Sequence, residues 1–304
     1  MANRRLHLAG LEFRLTDVVT LGGLLFFTLL SLVFHKRITR PGAIIGIDLL
    51  CIALYLASLV ILRRLRRPWL RFLVRTASVQ LAFLQVYSAA NSVQLLFSSW
   101  QDDRIIAWET ALLGFQPLIA VQKFYSPALN EWMFFVYVFY VVIYPVLGAI
   151  IFFKRGEEAN EDYLFQLGLV NFVCGLGFVL FPVASPMYWE KMRTSLTEPL
   201  TARFFGSAGE WIRANIHTPG GSIPSPHCAV ATVMWFMSHK YTRRGALWLA
   251  PIMVSLYLST VYCRYHYVSD AVIGIAAGLF VILVAPTIER AWDRRQAPAT
   301  GVRP

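Results

Sequence analysis

Two histidines in this chain stand where their neighbours could set them to work. His227 ends "GSIPSPH", a polar approach to an apolar block, and His266 lies in "STVYCRYHYVSDAVIGI", four residues ahead of Asp270. On one helix His266, Asp270 and Gly274 would share a face, one turn after the next. A carboxylate within reach of an imidazole fixes its tautomer and leaves the other ring nitrogen free to attack, while Gly274 would keep the groove beneath the pair open. A carboxylate at the lip of a membrane segment costs about 3 kcal/mol without a partner, and His266 is the nearest one. Ser225 is a strong N-cap type and Pro226 suits a first helical position. His227 would therefore stand at a helix start whose exposed N–H groups attract anions. With the hydroxyls of Ser222 and Ser225 and the guanidinium of Arg264 as oxyanion donors, these are the parts of a phosphoryl-transfer site. His266 would attack phosphorus; His227 would protonate the leaving alkoxide and then, as base, activate the incoming hydroxyl. Each half alone also reads as structure: a helix cap with a surface histidine, and a His–Asp pair tying helix ends. A metal site from His227, His266, Asp270 and His217 is the competing chemistry, but no HExxH or equivalent ligand spacing is present. No cofactor is implied.

The elements that must position these residues are membrane helices. The 304-residue chain is 57% hydrophobic and only 15% charged, against about 25% charged in ordinary soluble domains. Its apolar residues fall in eight blocks, at 17–35, 42–62, 77–98, 131–153, 163–184, 226–239, 246–263 and 269–287, which read as bilayer spans. The expected fold is all-α, a polytopic membrane bundle with a six-helix catalytic core and two extra N-terminal spans. Residues 1–76 would hold those spans and a basic loop, 77–287 the catalytic domain, and 288–304 a polar tail. The net charge of +11 does not indicate nucleic acid, because most of the basic residues concentrate in alternate segments, chiefly "RRLRRPWLRFLVR" and the two ends of the chain. That is the positive-inside bias. It makes the run 63–75 an anchor on anionic lipid and places both histidines on the non-cytoplasmic side. The outer segments are then 99–130, 185–225 and 264–268. The start of the chain reads as an interfacial segment rather than a removable signal.

Other residues carry weaker expectations. Cys51, Cys174, Cys228 and Cys263 lack metal spacing and read as apolar filler. Asp48 is expected as a buried, hydrogen-bonded residue, and Gln80, Gln85, Asn91 and Gln94 as glue between helices. Asp102, Asp103 and Glu109 are expected to be solvated or interfacial. Tyr265 and Tyr267 would line a headgroup pocket or anchor in the aromatic belt. His217 reads as a loop histidine.

At "SIPSPH" and "STVYCRYHYVSDAVIG", with support from "IIAWETALLGFQP" and "FPVASPMYW", the chain resembles the phosphatidic acid phosphatase type 2 superfamily. It is most similar to the branch holding fungal inositol phosphorylceramide synthase and its bacterial relatives, over residues 98 to 287. The resemblance implies metal-independent catalysis through a phosphohistidine on His266, oriented by Asp270, with His227 as general acid. The wider superfamily carries an upstream lysine and arginine–proline pair that has no counterpart here, and Thr260 stands where its phosphate-binding arginine is expected. Arg264 is the candidate substitute. The missing motif favours a transferase that moves a phosphate-bearing headgroup from a phospholipid to a lipid hydroxyl. A lipid phosphatase using water is the alternative, and a phospholipid carrier that breaks no bonds is the reading from another class. The expected setting is a bacterial inner membrane with the site facing the periplasm, or the lumen in a eukaryote.

Overall fold

The computed structural model describes residues 6–8, 11–201, 203–215 and 218–295. A short antiparallel hairpin, β1 (Leu6–Leu8) and β2 (Leu11–Phe13), leads into a helical bundle. The helices are α1 (Leu15–Val33), α2 (Pro41–Arg64), α3 (Pro68–Val93), α4 (Asp102–Leu113), α5 (Pro117–Ala120), α6 (Pro127–Arg155), α7 (Glu157–Leu180), α8 (Glu190–Arg193), α9 (Phe204–Asn215), α10 (Pro226–Tyr241), α11 (Arg243–Tyr262) and α12 (Val268–Arg295). Proline opens α2, α3, α6 and α10, where its missing N–H is no loss and its fixed φ suits the first turn. Tight breaks at Gly156 and Thr242 reverse the chain between α6 and α7 and between α10 and α11.

Among the described residues six helices are long and apolar enough to cross a membrane: α1, α2, α6, α7, α11 and α12. The bundle is also apolar on its outside, with Leu54, Leu81, Val141, Leu258 and Leu283 exposed, as a multi-pass membrane protein requires. The other two of the eight expected spans, α3 and α10, lie outside that set for different reasons. α3 runs 26 residues, about 39 Å, and is less apolar than the six because of its arginines, amides and hydroxyls. α10 has 16 residues, about 24 Å of helix against a hydrocarbon core of about 30 Å. α10 is instead the innermost helix, packed against α6, α7, α11 and α12, with most of its side chains buried. α4 and the segment to Phe124 bend by 74° and form no straight span.

The basic run 63–75 divides in two. Arg63, Arg64, Arg66 and Arg67 are exposed, as an anchor on lipid would be. Arg71 and Arg75 belong to α3 and turn inward, because α7 and α1 offer carboxylates there. Arg75 makes a two-pronged pair with Glu161 at 2.7 and 2.6 Å and a second pair with Asp17, which also accepts the Tyr55 hydroxyl at 2.7 Å. Arg71 and Arg14 share Glu157. Arg75, Asp17 and Glu161 are almost fully buried, so the network joins α1, α2, α3 and α7 where water is scarce. Asp48 is buried as expected and accepts hydrogen bonds from Thr28 and Gln85.

Removing one partner from a buried ion pair leaves an uncompensated charge and costs about 3–5 kcal/mol. Arg75→Ala is therefore expected to lower the thermal unfolding midpoint in detergent sharply, whereas exposed Arg67→Ala should leave it nearly unchanged. Equal midpoints for the two variants would remove the network from the list of structural supports.

Candidate active site

The two histidine segments meet at one end of the bundle. α11 closes with the Arg264 N–H on the Val261 carbonyl and the Tyr265 N–H on the Thr260 carbonyl, both at 3.0 Å, with Arg264 left-handed at φ 67°. This is a Schellman-type ending, and the His266 N–H also reaches the Thr260 carbonyl at 2.9 Å. His266 thus lies in the turn before α12, not on the helix as the four-residue spacing suggested. Asp270 sits in the first turn of α12 and folds back. Its Oδ2 accepts the Tyr267 N–H at 3.1 Å, the reach of half a capping box, and lies 3.4 Å from His266 Nδ1.

The other segment enters through Gly220 and Gly221, at φ 108° and 63°, where a Cβ would stand 2.1 Å from Gln94 and 2.5 Å from the Tyr87 hydroxyl. Gln94 holds this entry by donating to the Pro219 carbonyl and accepting from the Gly221 N–H, and Asn91 donates to Thr218. Asn91 of α3 and Gln94 just after it position a loop rather than glue helices. Ser225 caps α10, its hydroxyl accepting the Cys228 N–H at 3.4 Å, and its own N–H donates to the Asp270 carbonyl at 3.0 Å. The Ser222 hydroxyl donates to Asp270 Oδ2 at 2.5 Å and lies 3.1 Å from His266 Nδ1. Carboxylate, hydroxyl and imidazole form one cluster, all buried, that engages Nδ1 and leaves Nε2 for chemistry. The His227 and His266 rings stand 5.8 Å apart between centroids, inclined at 61°.

Gly274 does not open a groove. A Cβ there would meet the Ser225 carbonyl at 2.5 Å and Cys228 Cβ at 3.0 Å, and one at Gly278 would meet the Ala229 carbonyl at 2.7 Å. The two glycines, one turn apart, let α12 lie directly against α10.

The structure brings His227, His266, Asp270 and Ser222 together, and Ser225 underlies them as a cap. Arg264 and Tyr267 are committed elsewhere. The Arg264 guanidinium donates to the Tyr125 hydroxyl at 3.1 Å, to Gln122, and to the Glu198 carbonyl. The Tyr267 hydroxyl donates to Asp102 at 3.1 Å, and burial with that carboxylate beside it holds the phenol protonated by raising its pKa. Asp102 also accepts the Ala184 N–H, and Glu109 accepts the Ser269 N–H and hydroxyl. Both carboxylates are buried, contrary to the solvated reading, because they pin α4 to the start of α12. Burial pushes Asp102 up to about 6 and raises Glu109 as well, against the pull of those donors. Asp103 stays exposed, near Lys191. His217 lies outside the described residues.

Sequence reasoning missed three contributors. Tyr137 stacks on His227 at 4.5 Å and on Tyr265 at 4.1 Å, Tyr140 stands 5.0 Å from His227, and the Ser185 hydroxyl donates to the Tyr265 carbonyl at 2.7 Å. The available signal was the run of tyrosines at 137, 140 and 144, which share one face of α6. The four cysteines are unpaired, and among the described residues no three His, Cys, Asp or Glu side chains group as metal ligands.

A family model described as PAP2 superfamily matches residues 103–285. No curated protein and no solved structure matches the chain.

The close approach of α10 and α12 makes a prediction. Gly274→Ala forces a methyl onto the Ser225 carbonyl and is expected to destabilise by about 1–3 kcal/mol, as overpacking does. Gly46→Ala in α2, with nothing within 4 Å of the added Cβ, should be neutral or stabilising. Thermal unfolding of both proteins in the same detergent checks the contrast.

Proposed function

The chain belongs to the PAP2 superfamily, and on that premise we propose that it transfers a phosphate-bearing headgroup from a phospholipid to a lipid hydroxyl through a phosphohistidine on His266. Family membership supports a lipid enzyme of the phosphatase or phosphotransferase type; the acceptor, the intermediate and independence from metal are our reading. The observation that carries it is the pair of imidazoles 5.8 Å apart, one of them held by Asp270 and Ser222. That gap suits a single phosphoryl group with a reacting nitrogen on either side.

In the first half-reaction His266 Nε2 forms a bond to phosphorus as the P–O bond to the departing lipid alcohol breaks, and His227 gives that oxygen its proton. In the second, the acceptor hydroxyl gives its proton to His227, its oxygen attacks phosphorus, and the P–N bond breaks to restore His266. Asp270 and Ser222 fix the ring so that Nε2 faces phosphorus, which supplies orientation rather than charge. A lipid alcohol as acceptor, in the manner of inositol phosphorylceramide synthase, is favoured by the sequence likeness. A cavity of about 600 Å3 lined by Gln122, Lys123, Tyr125, Asn130 and Glu198 adjoins the residues that hold Arg264. The charge distribution along the chain favours a site on the non-cytoplasmic face, periplasmic in a bacterium and lumenal in a eukaryote.

Labelled phospholipid and purified protein test this reading. Wild type should form an acid-labile phosphoenzyme, His266→Ala should form none, and His227→Ala should turn over about a hundredfold to ten-thousandfold more slowly. Turnover should persist in excess chelator. Release of the headgroup phosphate alone, or of free phosphate when phosphatidic acid is the donor, with ceramide-like and other alcohols present, would assign water as the acceptor.

Ser222 separates positioning from phosphate binding. Loss of a hydrogen bond to a charged group is worth about tenfold to a hundredfold, so Ser222→Ala should lower kcat by that factor with KM little changed. A rise confined to KM would instead return Ser222 to the role of a phosphate ligand.

A further inference from the structure

Phosphate recognition at this site lacks an obvious cation. Arg264 spends its guanidinium on Tyr125, Gln122 and Glu198, and Lys191 and Arg193 are exposed and pair with Asp103 and Glu190. A neutral donor is offered by α6. Tyr137 is 5% exposed, and its ring lies nearly parallel to those of His227 and Tyr265. Its hydroxyl is buried and finds no hydrogen-bond partner among the described residues. A buried hydroxyl without a partner is costly, and it leaves a donor available to a water, an ion or a substrate.

We propose that the Tyr137 hydroxyl is a substrate ligand, donating its hydrogen bond to a phosphoryl oxygen held between His227 and His266. The inference rests on the phosphoryl-transfer reading above and extends it to how the anion is recognised. An O–H donor to an anionic oxygen makes a short, charge-assisted bond, and a neutral phenol avoids burying a further cation among the helices. The stack on His227 serves the same purpose by holding the hydroxyl and the proton-transferring imidazole in one rigid arrangement. Tyr144, two turns along α6, provides the internal comparison. Its hydroxyl is also buried without a partner among the described residues, but its ring packs on Tyr163 rather than on a histidine.

The experiment uses the full chain in detergent with orthovanadate as a phosphate-shaped probe, alongside phospholipid turnover and thermal unfolding. Tyr137→Phe keeps the ring stack and removes only the oxygen. It should weaken vanadate binding and lower kcat/KM by about tenfold to a hundredfold, with an unfolding midpoint equal to or above that of wild type. Tyr144→Phe should bind and turn over as wild type does. If Tyr137→Phe matches wild type in vanadate affinity and turnover while wild type forms the phosphoenzyme, this inference falls and the reaction stands. If wild type neither binds vanadate nor forms a phosphoenzyme, both fall. Equal losses in the two variants would also overturn it, since the effect would then belong to α6 packing.

Discussion

Asp270 receives the Ser222 hydroxyl and the Tyr267 N–H on a single carboxylate oxygen, lies against His266, and through its backbone carbonyl accepts the Ser225 N–H. Two segments forty residues or so apart in the chain are thereby joined at one buried point. Neither histidine sits within regular helix interior: His227 is in the first turn of α10 and His266 is in the turn before α12. Turns of this kind hold a side chain in place only when something rigid grips them. Hydrogen bonds in a buried setting are stronger, and a missing partner there is more damaging. The cluster is therefore well suited to keep imidazoles in register, and the rest of the site is arranged around it.

That junction depends on how close α10 and α12 come. Gly274 and Gly278 remove the side chains that would hold the helices apart, and the shortness of α10 lets four longer helices enclose it. α4 then closes the catalytic end from the side, with Asp102 on Tyr267 and Glu109 on Ser269. The left-handed Arg264 completes the set by reversing the chain sharply enough for His266 to turn back toward α10. Its guanidinium holds that reversal against the loop at Gln122–Tyr125, so this residue contributes through the backbone it anchors.

The opposite end of the bundle solves a different problem by different means. There α1, α2, α3 and α7 are joined by Arg75, Asp17, Glu161 and Tyr55. Charged pairs tie these helices, whereas at the catalytic end Asp270, Asp102 and Glu109 are met by neutral hydroxyl and N–H donors.

The membrane class and the Ser225–Pro226 cap were legible in the sequence alone, and so were the two histidines and the aspartate that the structure brings together, although not their roles. Each of these is written in local terms, as an apolar block, a short spacing or a helix-start preference, although the four-residue spacing placed on a helix a histidine that lies in the turn before it. The roles of Gly274, Arg264 and Tyr267, the inward turn of Arg71 and Arg75, and the burial of Asp102 and Glu109 were decided by tertiary structure. A charged or aromatic residue near a helix end looks the same in the chain whether it meets lipid, water or a carboxylate from another helix. Tyr137 is the clearest case: the tyrosines at 137, 140 and 144 mark one face of α6 in the sequence, but only the packing of that face brings Tyr137 onto His227. Local preference specifies which elements form, but the partner that a side chain meets is set by which helices pack together, and that choice is made by the whole core at once.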